Sequence, residues 1–208
     1  MIFQNRKEAA DKLVEKLALY RGRNPLVLGI PRGGVVLAAR LAEQLEGEVD
    51  VVLTHKLGAP GNPEVAIGAI DESGQIFLND PRWRREVSTY LDREATEQLQ
   101  ELRRRRQLFS ADRAPRDPAG RNVIITDDGL ATGATMLAAL QGLRPRKPAR
   151  LIVAVPVAPP DTLAKVAALA DETICLHAPE WFMAVGQFYQ DFGQIEDDEV
   201  VRLLSGKA

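Results

Sequence analysis

The chain has 208 residues and a mass of 22.9 kDa. With 45% hydrophobic residues, it suits one compact domain with a sizeable core. Lys and Arg (27) nearly balance Asp and Glu (29), so a net charge of −2 and a pI near 5.8 offer no global field for nucleic acid or an anionic membrane. A lone cysteine, Cys175, excludes an internal disulfide framework and a thiolate-rich metal site. No stretch approaches the roughly 20 apolar residues of a membrane span, and the N-terminus lacks an apolar core of signal-peptide length. A cytoplasmic protein is therefore expected.

Over residues 5–20, Ala9, Leu13, Leu17 and Tyr20, flanked by Ala10 and Val14, form a helical stripe. Residues 25–30 read as a buried strand that runs into Pro31-Arg32-Gly33-Gly34, after which a helix continues to Leu45. Strand, glycine turn and helix place backbone N–H groups around an anion, and Arg32 adds a forked cation. Close packing of the helix on the sheet would explain the glycines alone but leaves Arg32 without a task. Residues 49–54 form the next strand, parallel to the first because a helix separates them. Residues 55–64 are dense in Gly and Pro and read as a long, functional or mobile loop. A hairpin pairing 65–70 with 75–78 follows.

Residues 83–109 are helical, with Val87, Tyr90, Leu91, Ala95, Leu99, Leu102 and Leu108 as the buried set. Arg103-Arg104-Arg105-Arg106 near its end reads as a solvated terminus that complements the helix dipole. An RNA- or phosphate-binding patch is the sharper alternative, to which the global charge lends nothing. A loop over 112–120 leads into Val123-Ile124-Ile125-Thr126-Asp127-Asp128-Gly129-Leu130-Ala131-Thr132-Gly133-Ala134-Thr135.

This stretch joins a β-branched strand to two acids, then to a loop of small residues and hydroxyls, then to the helical pattern of Met136, Leu137 and Leu140. A helix starting near residues 132–135 aims unsatisfied N–H groups and its positive dipole end at the loop, where Gly129 and Gly133 allow close approach of an anion. Carboxylates would repel a phosphate, so Asp127 and Asp128 suit vicinal hydroxyls or a divalent cation. An ordinary Asp128-Gly129 turn with Thr132 as cap is the plainer reading. The strand before and the helix after favour a ligand site.

Beyond a helix ending near Leu143, residues 149–155 form a central strand, 161–170 a helix and 172–176 a last strand that holds Cys175 as a core thiol. Residues 178–192 gather aromatics in a chain with only 5% of them; Phe188, Tyr189 and Phe192 read as anchors of the tail. Residues 196–204 form a structural helix. The alternation predicts an α/β fold with a doubly wound, mostly parallel sheet and flanking helices. Within this single domain, 1–208, the core spans about 22–54 and 120–177, and a small hood comes from about 1–20, 55–80 and 178–208.

The 123–135 stretch closely resembles the phosphoribosyl-pyrophosphate (PRPP) signature of type I phosphoribosyltransferases, and Arg32-Gly33-Gly34 resembles the pyrophosphate loop of the nucleobase-salvage members. The resemblance implies that Asp127 and Asp128 hold the ribose hydroxyls while Gly129, Leu130, Ala131, Thr132, Gly133, Ala134 and Thr135 wrap the 5′-phosphate. Arg32, Gly33 and Gly34 would hold the pyrophosphate with Mg²⁺, which reaches Asp127 and Asp128 at most through water. It also implies a non-proline cis peptide near Pro31-Arg32, and a Lys56 that closes on pyrophosphate or base from a mobile hood loop. Trp181 and Phe182 stand where purine-salvage relatives stack the base.

The implied reaction displaces pyrophosphate from C1 of PRPP by a ring nitrogen of an acceptor, a nucleobase, in a homodimer, with Asp127, Asp128, Arg32 and Lys56 as catalytic residues. One departure matters: relatives acting on 6-oxopurines carry an Asp three residues after the second acid, and here that residue is Ala131. Adenine, another base or a non-base acceptor stays open. Two further readings are a catalytically inactive PRPP- or nucleotide-sensing regulator, supported only by Arg103–Arg106, and a hydrolase or phosphatase on the same architecture.

Overall fold

In a computed structural model, which describes residues 1–78, 80–110 and 114–206 and only the backbone of Pro63, Glu64 and Ala66, fifteen helices and strands follow one another along the chain. They are α1 (Arg6–Lys16), β1 (Leu26–Gly29), α2 (Gly33–Leu45), β2 (Glu48–Val51), β3 (Thr54–Ala59), β4 (Asn62–Asp71), β5 (Ile76–Leu78), α3 (Trp83–Glu86), α4 (Ser88–Ser110), β6 (Asn122–Thr126), α5 (Ala134–Leu143), β7 (Arg150–Val157), α6 (Pro160–Ala167), β8 (Glu172–His177) and α7 (Asp197–Leu204). Asp112, at the start of the expected 112–120 loop, lies outside the described residues.

The two-residue period of the central strands sorts their apolar side chains between two layers. Leu26, Leu28, Val123, Ile125, Leu151 and Val153 meet Met136 and Leu140 of α5 and Val166 of α6. Val27, Ile124, Ile152 and Ala154 face the other way, against Leu13 and Val14 of α1 and Leu37 and Leu41 of α2. Burial on both faces makes these strands continuous apolar runs, and the five-stranded sheet β2-β1-β6-β7-β8 is parallel throughout. This is the doubly wound fold expected. The chain winds outward from β1 to β2, then resumes on the other side of β1 with β6, β7 and β8. The direction of winding therefore reverses between β1 and β6, where a parallel sheet opens a crevice at its strand C-termini.

Several expectations need correction. The 1–20 segment is not hood: α1 buries Ala10, Leu13 and Val14 in the core layer beneath the sheet. Residues 55–64 are not a loop, because β3 and β4 pair antiparallel and β5 completes a second, three-stranded sheet. Gly61 turns the chain at φ +75°, and register shifts at Leu57–Gly58 and Gly58–Ala59 absorb the small residues that suggested a loop. The 83–109 helix breaks at Val87 into α3 and α4, and Phe109 rather than Leu108 is buried. No helix among the described residues is long and apolar enough to cross a membrane.

The arginine run is neither a solvated helix end throughout nor a patch. Arg104 and Arg105 pair with Glu101 on their own helix. Arg106 turns inward, where it binds Glu72, donates to Asp50 Oδ1 at 2.7 Å and reaches the Val51 carbonyl at 3.0 Å. Asp50, buried on edge strand β2, also accepts from the Arg116 N–H at 3.0 Å. The cluster ties α4 and the small sheet to the edge of the main one. Arg106→Met leaves two carboxylates uncompensated and is expected to cost about 3–5 kcal/mol, the usual penalty for removing one partner of a buried pair. A fall in the urea midpoint at unchanged slope is the measurement.

Candidate active site

Two loops meet at the winding reversal. Ile30 N–H donates to the Thr126 carbonyl at 3.0 Å, which carries the β1–β6 pairing to the end of both strands and holds residues 30–34 beside 127–128. The Pro31-Arg32 peptide is cis, as the resemblance implied. The next two glycines lie against the acids so tightly that no side chain fits. A Cβ on Gly33 would stand 1.9 Å from Asp128 Oδ2; one on Gly34 would stand 2.7 Å from the Thr126 carbonyl oxygen and 2.9 Å from Asp127 Cα. Gly33, Gly34, Asp127 and Asp128 thus form one packed unit, although 94 residues separate Gly33 from Asp127.

The acids differ electrostatically. Burial, and then the negative charge of Asp128, push the Asp127 carboxyl well above the usual carboxylate range; its Oδ1 accepts the Asp128 N–H at 2.8 Å. Asp128 receives Arg6 Nε on Oδ2 at 2.8 Å. Arg6 was missed from the sequence, although it lies on the same α1 stripe as Ala10 and Leu13. An arginine on an apolar stripe requires a carboxylate or carbonyl partner, and that was the available signal.

The loop after the acids reaches α5 through Gly133, which takes φ +72° as its N-cap with no side chain capping the helix. The first α5 N–H groups therefore face the loop, and only Ala134 N–H approaches Thr132 Oγ1, at 3.4 Å. Ala131 and Thr132 are exposed, Gly129 and Leu130 buried. Leu130 N–H donates to the Val157 carbonyl at 2.9 Å, and Thr162 Oγ1 donates to the Ala131 carbonyl at 2.8 Å. These bonds pin the loop to β7 and α6. Thr135 lies exposed in the first turn of α5. The result is a pinned loop leading to a helix N-terminus without a side-chain cap, the kind of main-chain donor set suited to an anion.

The remaining expected residues lie around this centre with different strengths of connection. Arg32, exposed, makes long ion pairs at 3.7 and 3.8 Å with Glu196 and Asp197 at the start of α7, so the helix expected to be purely structural borders the Arg32-Gly33-Gly34 turn. The C-terminal segment rests on the sheet's C-terminal edge: a Cβ on Gly129 would meet Val185 at 2.6 Å, and Phe182 packs 5.3 Å from Phe188. Phe188 and Tyr189 are core anchors with Phe3 and Val157, as expected. Trp181 is 88% exposed. Lys56 is not on a loop: it sits in β3 opposite Ala69, so any closure over the site would move a hairpin. The half-buried Cys175 donates to the His177 carbonyl, and burial raises its thiol, which suits a core residue.

A glycine turn, an acid pair and an open helix N-terminus at the winding reversal of a parallel sheet define a doubly wound α/β protein whose candidate site lies at the carboxyl ends of its strands. The chain belongs to the phosphoribosyl transferase domain family, whose model matches residues 1–192. It is 43% identical over 208 residues, 98% of its length, to a provisionally named phosphoribosyl transferase of Mycobacterium tuberculosis, with the same figure for strains CDC 1551 / Oshkosh and ATCC 25618 / H37Rv. The chain spans 46% of those relatives. The crystal structure of TT1426 from Thermus thermophilus aligns over 100% of both chains at 44% identity and a TM-score of 0.92. A hypothetical protein from Neisseria gonorrhoeae with bound ppGpp shares the fold at 16% identity and a TM-score of 0.50, covering 100% of this chain and 97% of its own.

Proposed function

We propose that this protein binds PRPP and transfers its 5-phosphoribosyl group to a nitrogen acceptor, a nucleobase, with release of pyrophosphate. One observation carries the reading: two carboxylates lie between a glycine turn and an open helix N-terminus, the order in which a ligand with a phosphate at each end and a diol between presents its groups. Residues 129–135 hold the 5′-phosphate, a remote handle whose binding energy positions C1. Asp127 and Asp128 take the ribose hydroxyls, placing negative charge beside the positive charge that develops on the sugar as pyrophosphate departs. Arg32 and the Gly33 N–H receive the leaving group, whereas the Gly34 N–H expected to join them is donated to the Ile30 carbonyl at 3.1 Å. Trp181 and Phe182 offer ring faces to the acceptor, and closure of the β3–β4 hairpin brings Lys56 toward it while excluding water.

The residues present fit Mg²⁺ of a particular kind. Among the described residues no group of three or more His, Cys, Asp or Glu side chains could cage a metal. Mg²⁺ retains several waters and is commonly held through one or two carboxylates and the phosphates of its ligand, and Asp127 and Asp128 meet that modest demand. Bound there, it supplies positive charge to the pyrophosphate oxygens.

Ala131 gives no carboxylate with which to exchange a proton with a 6-oxopurine, so adenine, another base or a non-base nitrogen is the acceptor. Pairing of Arg104, Arg105 and Arg106 with acids of this chain weakens the one feature that supports the sensor reading. Pyrophosphate release is to be measured with Mg²⁺, PRPP and a panel of bases. Turnover with adenine or a pyrimidine, and none with hypoxanthine or guanine, is the expected result. Tight PRPP binding without turnover for any base would transfer the protein to the sensor class, and conversion of a phosphate ester without PRPP to the hydrolases.

A further inference from the structure

We propose that Arg6 is the positioning residue of the acid pair, and that through it the alignment of Asp128 depends on the docked C-terminal segment; the catalytic part of this inference rests on the PRPP-binding reading above.

Arg6 is only 9% exposed, and its guanidinium group has partners at two of its nitrogens and over one face. Nε donates to Asp128 Oδ2 at 2.8 Å and Nη1 to the Gly193 carbonyl at 2.8 Å, while the Phe192 ring lies 3.9 Å from Cζ. A second contact arrives at the same aspartate from the same segment: Tyr189 OH donates to the Asp128 carbonyl at 2.6 Å, and its ring stacks on Phe192 at 5.0 Å. The segment is itself clipped to the N-terminus. Phe3 N–H donates to the Phe188 carbonyl at 2.8 Å, Gln190 N–H to the Phe3 carbonyl at 2.8 Å and Asp191 N–H to the Gln4 carbonyl at 2.9 Å. Residues 3–6 and 188–193 therefore form one unit that grips Asp128 by its carboxylate and by its main chain.

The geometry leaves Asp128 a single place to sit. Arg6 holds Oδ2 on one side, and the main chain of Gly33 closes the other, since even a methyl group there would overlap that oxygen. Of its two oxygens, Oδ1 remains for a sugar hydroxyl. Arg6 also balances one of the two adjacent negative charges, so a ligand meets a pair carrying one net charge rather than two. Trp181 and Phe182 lie on the same C-terminal segment, and the grip thus links the acceptor side of the cleft to the diol side.

The test compares wild type, Arg6→Lys, Arg6→Met, Tyr189→Phe and Asp128→Asn, each first checked for folding by circular dichroism. PRPP is titrated with Mg²⁺ at a single neutral pH, and amide hydrogen exchange is followed over residues 186–193. Loss of the Arg6 guanidinium frees the Asp128 carboxylate to leave its place, so PRPP affinity in Arg6→Met is expected to fall at least about tenfold. Arg6→Lys keeps a cation beside Asp128 and restores part of the affinity but not all of it, because lysine cannot bridge Asp128 and Gly193 in a plane. Tyr189→Phe and Asp128→Asn both speed exchange over 186–193. Wild-type affinity in Arg6→Met overturns the positioning role; should that variant not fold, wild-type affinity in Arg6→Lys does so. Unchanged exchange in Tyr189→Phe and Asp128→Asn overturns the link to the segment. Absence of PRPP binding by the wild type would defeat the functional reading instead, and the exchange comparison would still test the link.

Discussion

Asp127→Asn combined with Asp128→Asn is expected to abolish PRPP binding. A sugar hydroxyl donating to a carboxylate makes a charge-assisted bond, and two such bonds contribute about 3–6 kcal/mol, or roughly 100-fold or more in affinity. Isothermal titration with Mg²⁺ and PRPP reads the loss, and affinity within about threefold of wild type would sink the assignment. The single variants then separate site from fold. Asp127 has a raised pKa, so the folded state holds its proton more tightly than the unfolded chain does. Ionising this carboxyl therefore costs stability: stability falls as pH rises from the ordinary aspartate value through the raised one, and the loss is complete only above the raised one. Asp127→Asn removes that cost and is expected to melt at or above the wild-type temperature at pH 7 while losing PRPP. Asp128→Asn behaves in the opposite way, because it strands the buried Arg6 guanidinium without its carboxylate. A binding residue whose removal stabilises the fold is the pattern of a site held under strain for function.

The second large effect is a contrast between neighbouring glycines. Gly33→Ala drives a methyl into the Asp128 carboxylate, a side-chain group that can swing aside at the expense of its bond to Arg6. The fold is expected to survive, with a melting temperature within a few degrees of wild type, while pyrophosphate release falls by about 100-fold, the usual cost of misplacing a catalytic group by an ångström. Gly34→Ala meets the Thr126 carbonyl and Asp127 Cα, which are main chain and cannot move without separating β1 from β6. It is expected to cost about 1–3 kcal/mol or more as an overpacked core substitution, visible in urea unfolding. Equal stability loss in the two variants would show that the carboxylate is not what Gly33 accommodates.

Why some of this was legible in the sequence and some was not follows from distance along the chain. The acid pair, its loop and the helix after it lie within residues 123–135, and Arg32-Gly33-Gly34 directly follows its own strand. Strand, turn and helix start are local, so residue type and period suffice to place donors and carboxylates. Continuous burial was equally legible in β1, β6 and β7, where unbroken β-branched and leucine runs admit few other readings. Lys56 was misplaced because Gly58, Pro60 and Gly61 suggest a loop by composition, whereas cross-strand pairing with residues 62–71 makes them a bulged hairpin. Pairing energy lies between strands and leaves no mark on one of them alone.

By itself, then, the sequence determined the parallel α/β class, the small-residue loop with the helix start after β6 and the two acids beside it, since each depends on neighbours within a turn or two. Only the tertiary structure decided that Arg6 holds Asp128 across 122 residues, that Arg106 reaches Asp50 across 56 and that Gly33 lies against the acid pair. Such contacts depend on how the chain returns to the same point in space. Coulombic and steric terms act on that separation, and spacing along the sequence does not encode it.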